Sequence, residues 1–293
     1  MNERFAASFA PALSYYAALS PAAGFQGRCA MSIPADIEGK RVLDVCCRKG
    51  KGAFALADAV GPSGFVVGVD PDTDNVAAAC AAAPKNHWAG SSWEHHLRFS
   101  PAIPESLSQA CIEDASFDQV YINSVVNLAW SLPVALAEFA RVLAPGGRLW
   151  VAQGVFAEDG SDAQGGIVGE SGAIDVFSQA RSCDAFEQMC LEAGFSSVSF
   201  SSIAPFAGEG PRDGGCPGGA TFWLADACAT ISRGSLASNG RILRFMVNLR
   251  LRTAVLVNRS SVWYKSFALQ QARDGAHHTF ADGKWVFTRF FVC

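Results

Sequence analysis

The stretch Arg41 to Asp70, RVLDVCCRKGKGAFALADAVGPSGFVVGVD, constrains this chain more than any other. Val42-Leu43-Asp44-Val45 is a short apolar run, fit for a buried parallel strand. Phe54, Leu56, Ala57 and Val60 follow at helical spacing, and Gly61-Pro62-Ser63-Gly64 is a turn. Phe65 to Val69 is a second buried strand, ending at Asp70. Strand, tight loop, helix and a second strand ending in an acid make the opening unit of a nucleotide-cofactor fold. The loop departs from that pattern. Where glycines are expected it reads Cys46-Cys47-Arg48-Lys49-Gly50.

The alternation continues. Asp72 or Thr73 caps a helix through the alanines to about Ala83. Leu97 to Ser100 is a third strand and Phe117 to Asn123 a fourth. Pro133 opens a helix with Leu132, Leu136, Phe139 and Leu143 on its apolar side. Ala144-Pro145-Gly146-Gly147 turns the chain into a fifth strand, Arg148 to Gln153. Strands alternating with helices predict a parallel sheet covered on both faces. Ligands then sit at the carboxyl ends of the strands, which places loop 46–52, Asp70, loop 101–105 and Asn123 around one crevice.

Beyond Gln153 the pattern changes. Glu158 to Gly172 reads as a mobile loop, Cys183 to Ala193 as a helix stopped by Gly194, and Ser197 to Ser201 as a strand. Gly208 to Gly219 carries six glycines and reads as an inserted surface loop. Ile242 to Leu251 alternates like a long strand, and the aromatic-rich tail 262–293 reads as β. The expected organisation is an N-terminal helical lid over residues 1–35, an α/β domain over 36–205, and an inserted loop with a C-terminal α+β part over 206–293.

Composition excludes several classes. Only 17% of residues are charged and half are hydrophobic, so much of the chain is expected to be buried. The net charge of −4, with no basic stripe, argues against nucleic acid as a partner. Ten cysteines are scattered without a CxxC pair, as free thiols in a reducing cytoplasm would be. The uncharged Phe5 to Gly27 is broken by Pro11 and holds Tyr15 and Tyr16, so it is expected as a helix packing over a cofactor mouth rather than a leader. No stretch reads as a transmembrane span, since Asn123, Asn127 and Pro133 split 119–137. His95-His96 could line a pocket but would point apart on a strand, and His277-His278 reads as structural, so no metal site is expected. No Gly-x-Ser-x-Gly elbow is present.

Four segments in order resemble class I S-adenosylmethionine-dependent methyltransferases. Asp44 matches the acid of the Asp-x-Gly-x-Gly-x-Gly loop and Asp70 the acid at the end of the second strand. Phe117-Asp118 through Asn123 matches the fourth strand, and Leu143-Ala144-Pro145-Gly146-Gly147 the turn before the fifth. The segments VLDV…LADAVGPSGFVVGVD, IEDASFDQVYINSVVNL, FARVLAPGGRLWVAQGVFA, GRILRFMVNLRLR and HHTFADGK resemble, more narrowly, the arsenite methyltransferases. The resemblance implies a Rossmann-like sandwich, S-adenosylmethionine as cofactor, and a small-molecule substrate. It implies cofactor-binding roles for Asp44, Cys46, Arg48, Gly50, Gly52, Asp70, Pro71, Glu105 and Asn123. Asp70 would hold the ribose, Glu105 would lie near the adenine edge and Asn123 beside the methionine portion.

The departures fall in two places. Cys46 and Arg48 replace the first two loop glycines, and the Arg48 cation would lie near the sulfonium unless it swings out or grips the cofactor carboxylate. The family's arsenic-binding cysteines correspond to Lys40, Ser171 and no residue within 249–262. Cys29, Cys46, Cys47 and Cys216 are the thiols left that could build a new site. Three readings follow: a methyltransferase of small molecules without the family's arsenic site, a non-catalytic homologue serving as a binding or assembly module, and a thiol-based metalloid binder.

Overall fold

The computed structural model describes residues 3–19, 31–86, 96–158, 176–177, 180–205, 222–232, 255–256, 277–281 and 284–288. The chain divides into two compact units, Met1–Ser235 and Leu236–Cys293. In the first, the elements run α1 (Glu3–Ala18), β1 (Arg41–Val45), α2 (Lys51–Val60), β2 (Phe65–Asp70), α3 (Thr73–Asn86), β3 (Leu97–Pro101), β4 (Phe117–Asn123), α4 (Leu132–Val142), β5 (Leu143–Ala157), β6 (Arg181–Ser182), α5 (Cys183–Glu192), β7 (Ser197–Pro205) and β8 (Phe222–Thr230). The sheet order is β3-β2-β1-β4-β5-β8-β7, with β6 pairing β5. Strands β1 to β5 are parallel, whereas β8 runs antiparallel to β5 and to β7. In the second unit β9 (Val255–Leu256), β10 (His277–Ala281) and β11 (Lys284–Thr288) form an antiparallel sheet in the order β10-β11-β9.

The apolar runs explain the layers. Leu43, Val45, Val67, Val69, Val120 and Ile122 are buried against Leu136 and Phe139 of α4. The alternate residues Val42, Val66 and Tyr121 are buried against Ala53, Leu56 and Val60 of α2. Both faces are therefore covered, as continuous apolar strands require. At the amino ends, Arg41 grips Asp118 with its backbone N–H (3.0 Å) and both guanidinium edges (3.0 and 2.8 Å), tying β1 to β4.

The sequence expectation holds for β1 to β4 and for α2 to α4 to within a few residues. It differs at two points. Residues 143–147 belong to a strand rather than to a free turn, because Gly146 N–H donates to Ile231 O (3.0 Å) and Ile231 N–H to Gly147 O (2.9 Å). The first unit ends at Ser235 and not at 205, because β8 lies beside β5 in the main sheet. His96 Nδ1 lies 3.3 Å from the Gly64 carbonyl, at the amino end of β3. His277 and His278 lie on β10, paired with Thr288 and Phe287 of β11. His95, the 208–219 loop and the strand expected over 242–251 lie outside the described residues.

Candidate functional site

The register of the parallel strands brings the expected residues together. Val45 pairs with both Val69 and Ile122, so Cys46, Asp70 and Asn123 leave the sheet side by side at its carboxyl edge. Ala102 N–H donates to Asp70 O (3.1 Å), which holds the start of the 102–105 loop against the end of β2. Glu105, 2% exposed, follows on that loop.

The loop after β1 keeps a glycine backbone without the glycines. Cys46 has φ +59° and Arg48 φ +49°, and Gly50 caps α2 at φ +84°. Two non-glycine residues in the left-handed region cost about 1–2 kcal/mol each. The loop is held by Cys47 N–H to Val69 O (3.0 Å) and Gly50 N–H to Cys47 O (2.9 Å). Arg48 N–H donates to Asp70 Oδ2 (2.8 Å), while the Arg48 residue is exposed. At Gly50 the left-handed backbone is matched by space: a Cβ would lie 3.0 Å from the Phe54 and Phe99 rings. Arg48→Gly is expected to relieve strain and lose no burial. The about 0.4–1 kcal/mol of extra unfolded-state entropy that glycine carries offsets part of the gain. A net stabilisation of about 0.5–1 kcal/mol should raise the urea midpoint without changing the slope. A lower midpoint would show that the Arg48 side chain has a structural partner.

Three carboxylates converge on this edge. Asp70 also accepts Asp72 N–H (3.1 Å) and Asn75 Nδ2 (3.1 Å), so Oδ1 is shared by two donors and Oδ2 keeps room for another. Pro71, half-buried, shapes the turn between Asp70 and α3. Asp44 is buried and its Oδ2 has no hydrogen-bond partner among the described residues. Gly52 faces it, and a Cβ there would lie 3.2 Å from that oxygen. Burial, with the nearby Asp70 charge, pushes Asp44 up to about 8. Burial also raises Asp70 against the hydrogen bonds it accepts, and raises Glu105 in the same way. The Cys46 thiol is pushed well up by burial and then by the charges of Asp70, Glu105 and Asp44. Among the described residues none of these three carboxylates pairs with a basic side chain. Asn123 Oδ1, at the end of β4, is buried and likewise without a described partner.

One residue of the site was not singled out by sequence. Tyr16 of α1 donates to both oxygens of Glu105 (3.0 Å each) and accepts Trp130 N–H (3.1 Å). Its only signal was the Tyr15-Tyr16 pair in an uncharged N-terminal stretch. Lys40 is tied to Asp36 (3.1 Å), while Cys29, Ser171 and Cys216 lie outside the described residues. Two surface cavities, of about 220 and 370 Å³, sit at the other edge of the sheet beside Arg41 and Arg148, and no residue of the 46–52 loop lines either. No described helix is long and apolar enough to cross a membrane.

The residues present fit an adenosyl sulfonium cofactor. A buried acceptor without a donor, a spare lone pair on Asp70 and the lack of a basic partner all favour a cationic, hydroxyl-bearing ligand. A methyltransferase domain family matches residues 36–186. The arsenite methyltransferase of Aquipseudomonas alcaligenes is 34% identical over 126 residues, which are 42% of this chain and 35% of that protein. The demethylmenaquinone methyltransferase of Lactococcus lactis is 34% identical over 114 residues, 39% of this chain and 42% of that protein. The matched region thus spans well under half the length of these curated relatives. The crystal structure of an arsenic(III) S-adenosylmethionine methyltransferase from Chlamydomonas reinhardtii superposes with a TM-score of 0.58 at 27% identity, covering 76% of this chain and 75% of that one. A match over residues 36–186, more than half the chain, shows that this protein belongs to the methyltransferase domain family.

Proposed function

We propose that this protein is an S-adenosylmethionine-dependent methyltransferase of small molecules that does not use the arsenite methyltransferases' thiol site. The observation that carries the reading is the uncompensated acidic crevice of Asp44, Asp70 and Glu105 beside a loop that retains its left-handed turns at 46, 48 and 50. The buried setting also works against the metalloid reading at Cys46. Burial and then these acids push the Cys46 thiol well up, so a soft ion would have to displace its proton to bind there.

When bound, the cofactor supplies an electrophilic methyl group on a sulfonium. The chain's own residues do the rest by binding and orientation. Asp70 accepts hydroxyl hydrogens through its free Oδ2 lone pair, Asp44 offers a charge to the cationic portion, and Asn123 Oδ1 accepts a further donor. Arg48 is exposed, and among the described residues no basic side chain pairs with the three acids.

A thermal-shift titration tests this. At 100 times its dissociation constant the cofactor should stabilise the protein by about 2.7 kcal/mol. The affinity should depend on pH with a definite sign. Asp44, at about 8 in the free protein, is protonated below that value and must lose its proton to face a cation. Affinity should therefore rise with pH up to about 8, by at most about tenfold per unit, and level off above. No shift at any pH between 6 and 9 would refute the reading.

A further inference from the structure

We propose that Tyr16 is a latch that closes the cofactor crevice: it holds Glu105 in the free protein and must let go before S-adenosylmethionine can bind. The proposal rests on the methyl-donor reading above and adds a regulated step to that same site.

Helix α1 is fastened to the rest of the first unit by its tyrosines. The Tyr16 hydroxyl is shared between Glu105 Oε1 and Oε2 (3.0 Å each) and accepts Trp130 N–H (3.1 Å). Ser131 N–H also donates to Glu105 Oε1 (2.9 Å). With Tyr16 in place, Oε1 receives two donors and is full, and Oε2 already receives one. The neighbouring Tyr15 hydroxyl donates to Leu128 O (3.2 Å), and the two rings meet edge to face at 5.2 Å. Ala12, one turn earlier, is fully buried. The clasp thus joins α1 to the 102–105 loop and to the 128–131 segment after β4, both at the carboxyl edge of the sheet.

The hydroxyl end of Tyr16 thus sits on Glu105, at the carboxyl edge where Cys46 follows β1. Those are two of the residues expected around the cofactor. A side chain that fills Glu105 Oε1 and engages Oε2 competes with any ligand that needs the same carboxylate. Burial holds the phenol well above its usual range, so it stays a neutral donor at every working pH and the clasp does not open by ionisation. Release must come from displacement. A site closed most of the time binds with its intrinsic affinity reduced by the open fraction. A hydrogen bond to a charged group is strong enough to hold the closed state in about tenfold excess.

The test compares wild type with Tyr16→Phe, which keeps the ring and removes the hydroxyl. S-adenosylmethionine association is followed by stopped-flow tryptophan fluorescence and calorimetry. Amide hydrogen exchange over residues 3–18 reports the helix without reference to the cofactor. The expected result is faster exchange in α1 together with about tenfold tighter and faster cofactor binding. If wild type binds and Tyr16→Phe binds equally or more weakly, Tyr16 is a cofactor contact or a retaining lid and the latch is wrong. Tighter binding with unchanged exchange in α1 also overturns it. If neither protein binds, the methyl-donor reading fails and takes the latch with it. Binding by Tyr16→Phe alone would support both.

Discussion

Asp70→Ala is expected to lower the affinity for S-adenosylmethionine by at least about a hundredfold, the largest effect of any single change at the site. The carboxylate has two tasks. It anchors the strained loop through Arg48 N–H at 2.8 Å, and it anchors the start of α3 through Asp72 N–H and Asn75 Nδ2, both at 3.1 Å. It also keeps one Oδ2 lone pair for a ligand hydroxyl. Losing a charge-assisted hydrogen bond costs about 1.5–3 kcal/mol, and release of a loop already held at unfavourable φ adds to it. Asp70→Asn separates the two tasks. The amide oxygen can still take the Arg48 N–H, so the loop should persist, while the charge that strengthens the bond to a ligand hydroxyl is gone and the amide nitrogen loses the Asp72 and Asn75 donors that Oδ1 accepts. Calorimetry should find Asp70→Asn weakened by roughly tenfold or more with a small loss of stability, and Asp70→Ala weakened further with a larger one. Wild-type affinity in Asp70→Asn would mean that the cofactor is held elsewhere.

What was legible in the sequence was legible because local pattern and tertiary structure agree. Val42 to Val45 and Phe65 to Val69 are apolar throughout because they are covered on both faces, and the intervening helix shows its period in Leu56, Ala57 and Val60. The acids at 44 and 70 could be placed because strand ends set their position. The features that escaped depend on distant partners. Residues 143–147 carry turn chemistry, yet their hydrogen bonds run to Ile231, more than eighty positions on. β8 reads as part of a separate segment because glycine-rich sequence precedes it, although Val151 pairs with Ala227 in the main sheet. Tyr16 meets Glu105 across 89 positions, and no spacing rule links a helix at the start of a chain to a loop after β3. The loop itself shows the reverse case. Its sequence denies a glycine turn at Cys46 and Arg48, and the fold imposes one. The bonds from Cys47 to Val69 and from Arg48 to Asp70 are what outweigh the local preference.

Glu138→Ala should be the most damaging change to the fold outside the crevice. Glu138 is buried to 9% exposure on α4 among apolar neighbours of the core. Its Oε1 accepts Arg141 Nε (2.8 Å), and its Oε2 accepts Arg141 Nη2 (2.8 Å) and Leu107 N–H (3.0 Å). Arg141 in turn donates to Ile112 O (3.2 Å) and to Asp114 (2.8 Å). This one network fixes the 107–114 segment, which follows the Glu105 loop, onto α4. Alanine leaves the Arg141 guanidinium half unpaired and the Leu107 N–H without an acceptor. Breaking one side of such a pair costs about 3–5 kcal/mol. In a unit of this size that should lower Tm by roughly 6–15 °C. Replacing both partners with apolar residues of similar bulk, Glu138→Leu with Arg141→Met, should recover much of the loss, because the cost lies in the stranded charge rather than in the absent bridge. A Glu138→Ala protein that melts within 2 °C of wild type would mean that water reaches Arg141 and Leu107, and that α4 is held to the 107–114 segment by Leu107, Ile112, Leu136 and Phe139 alone.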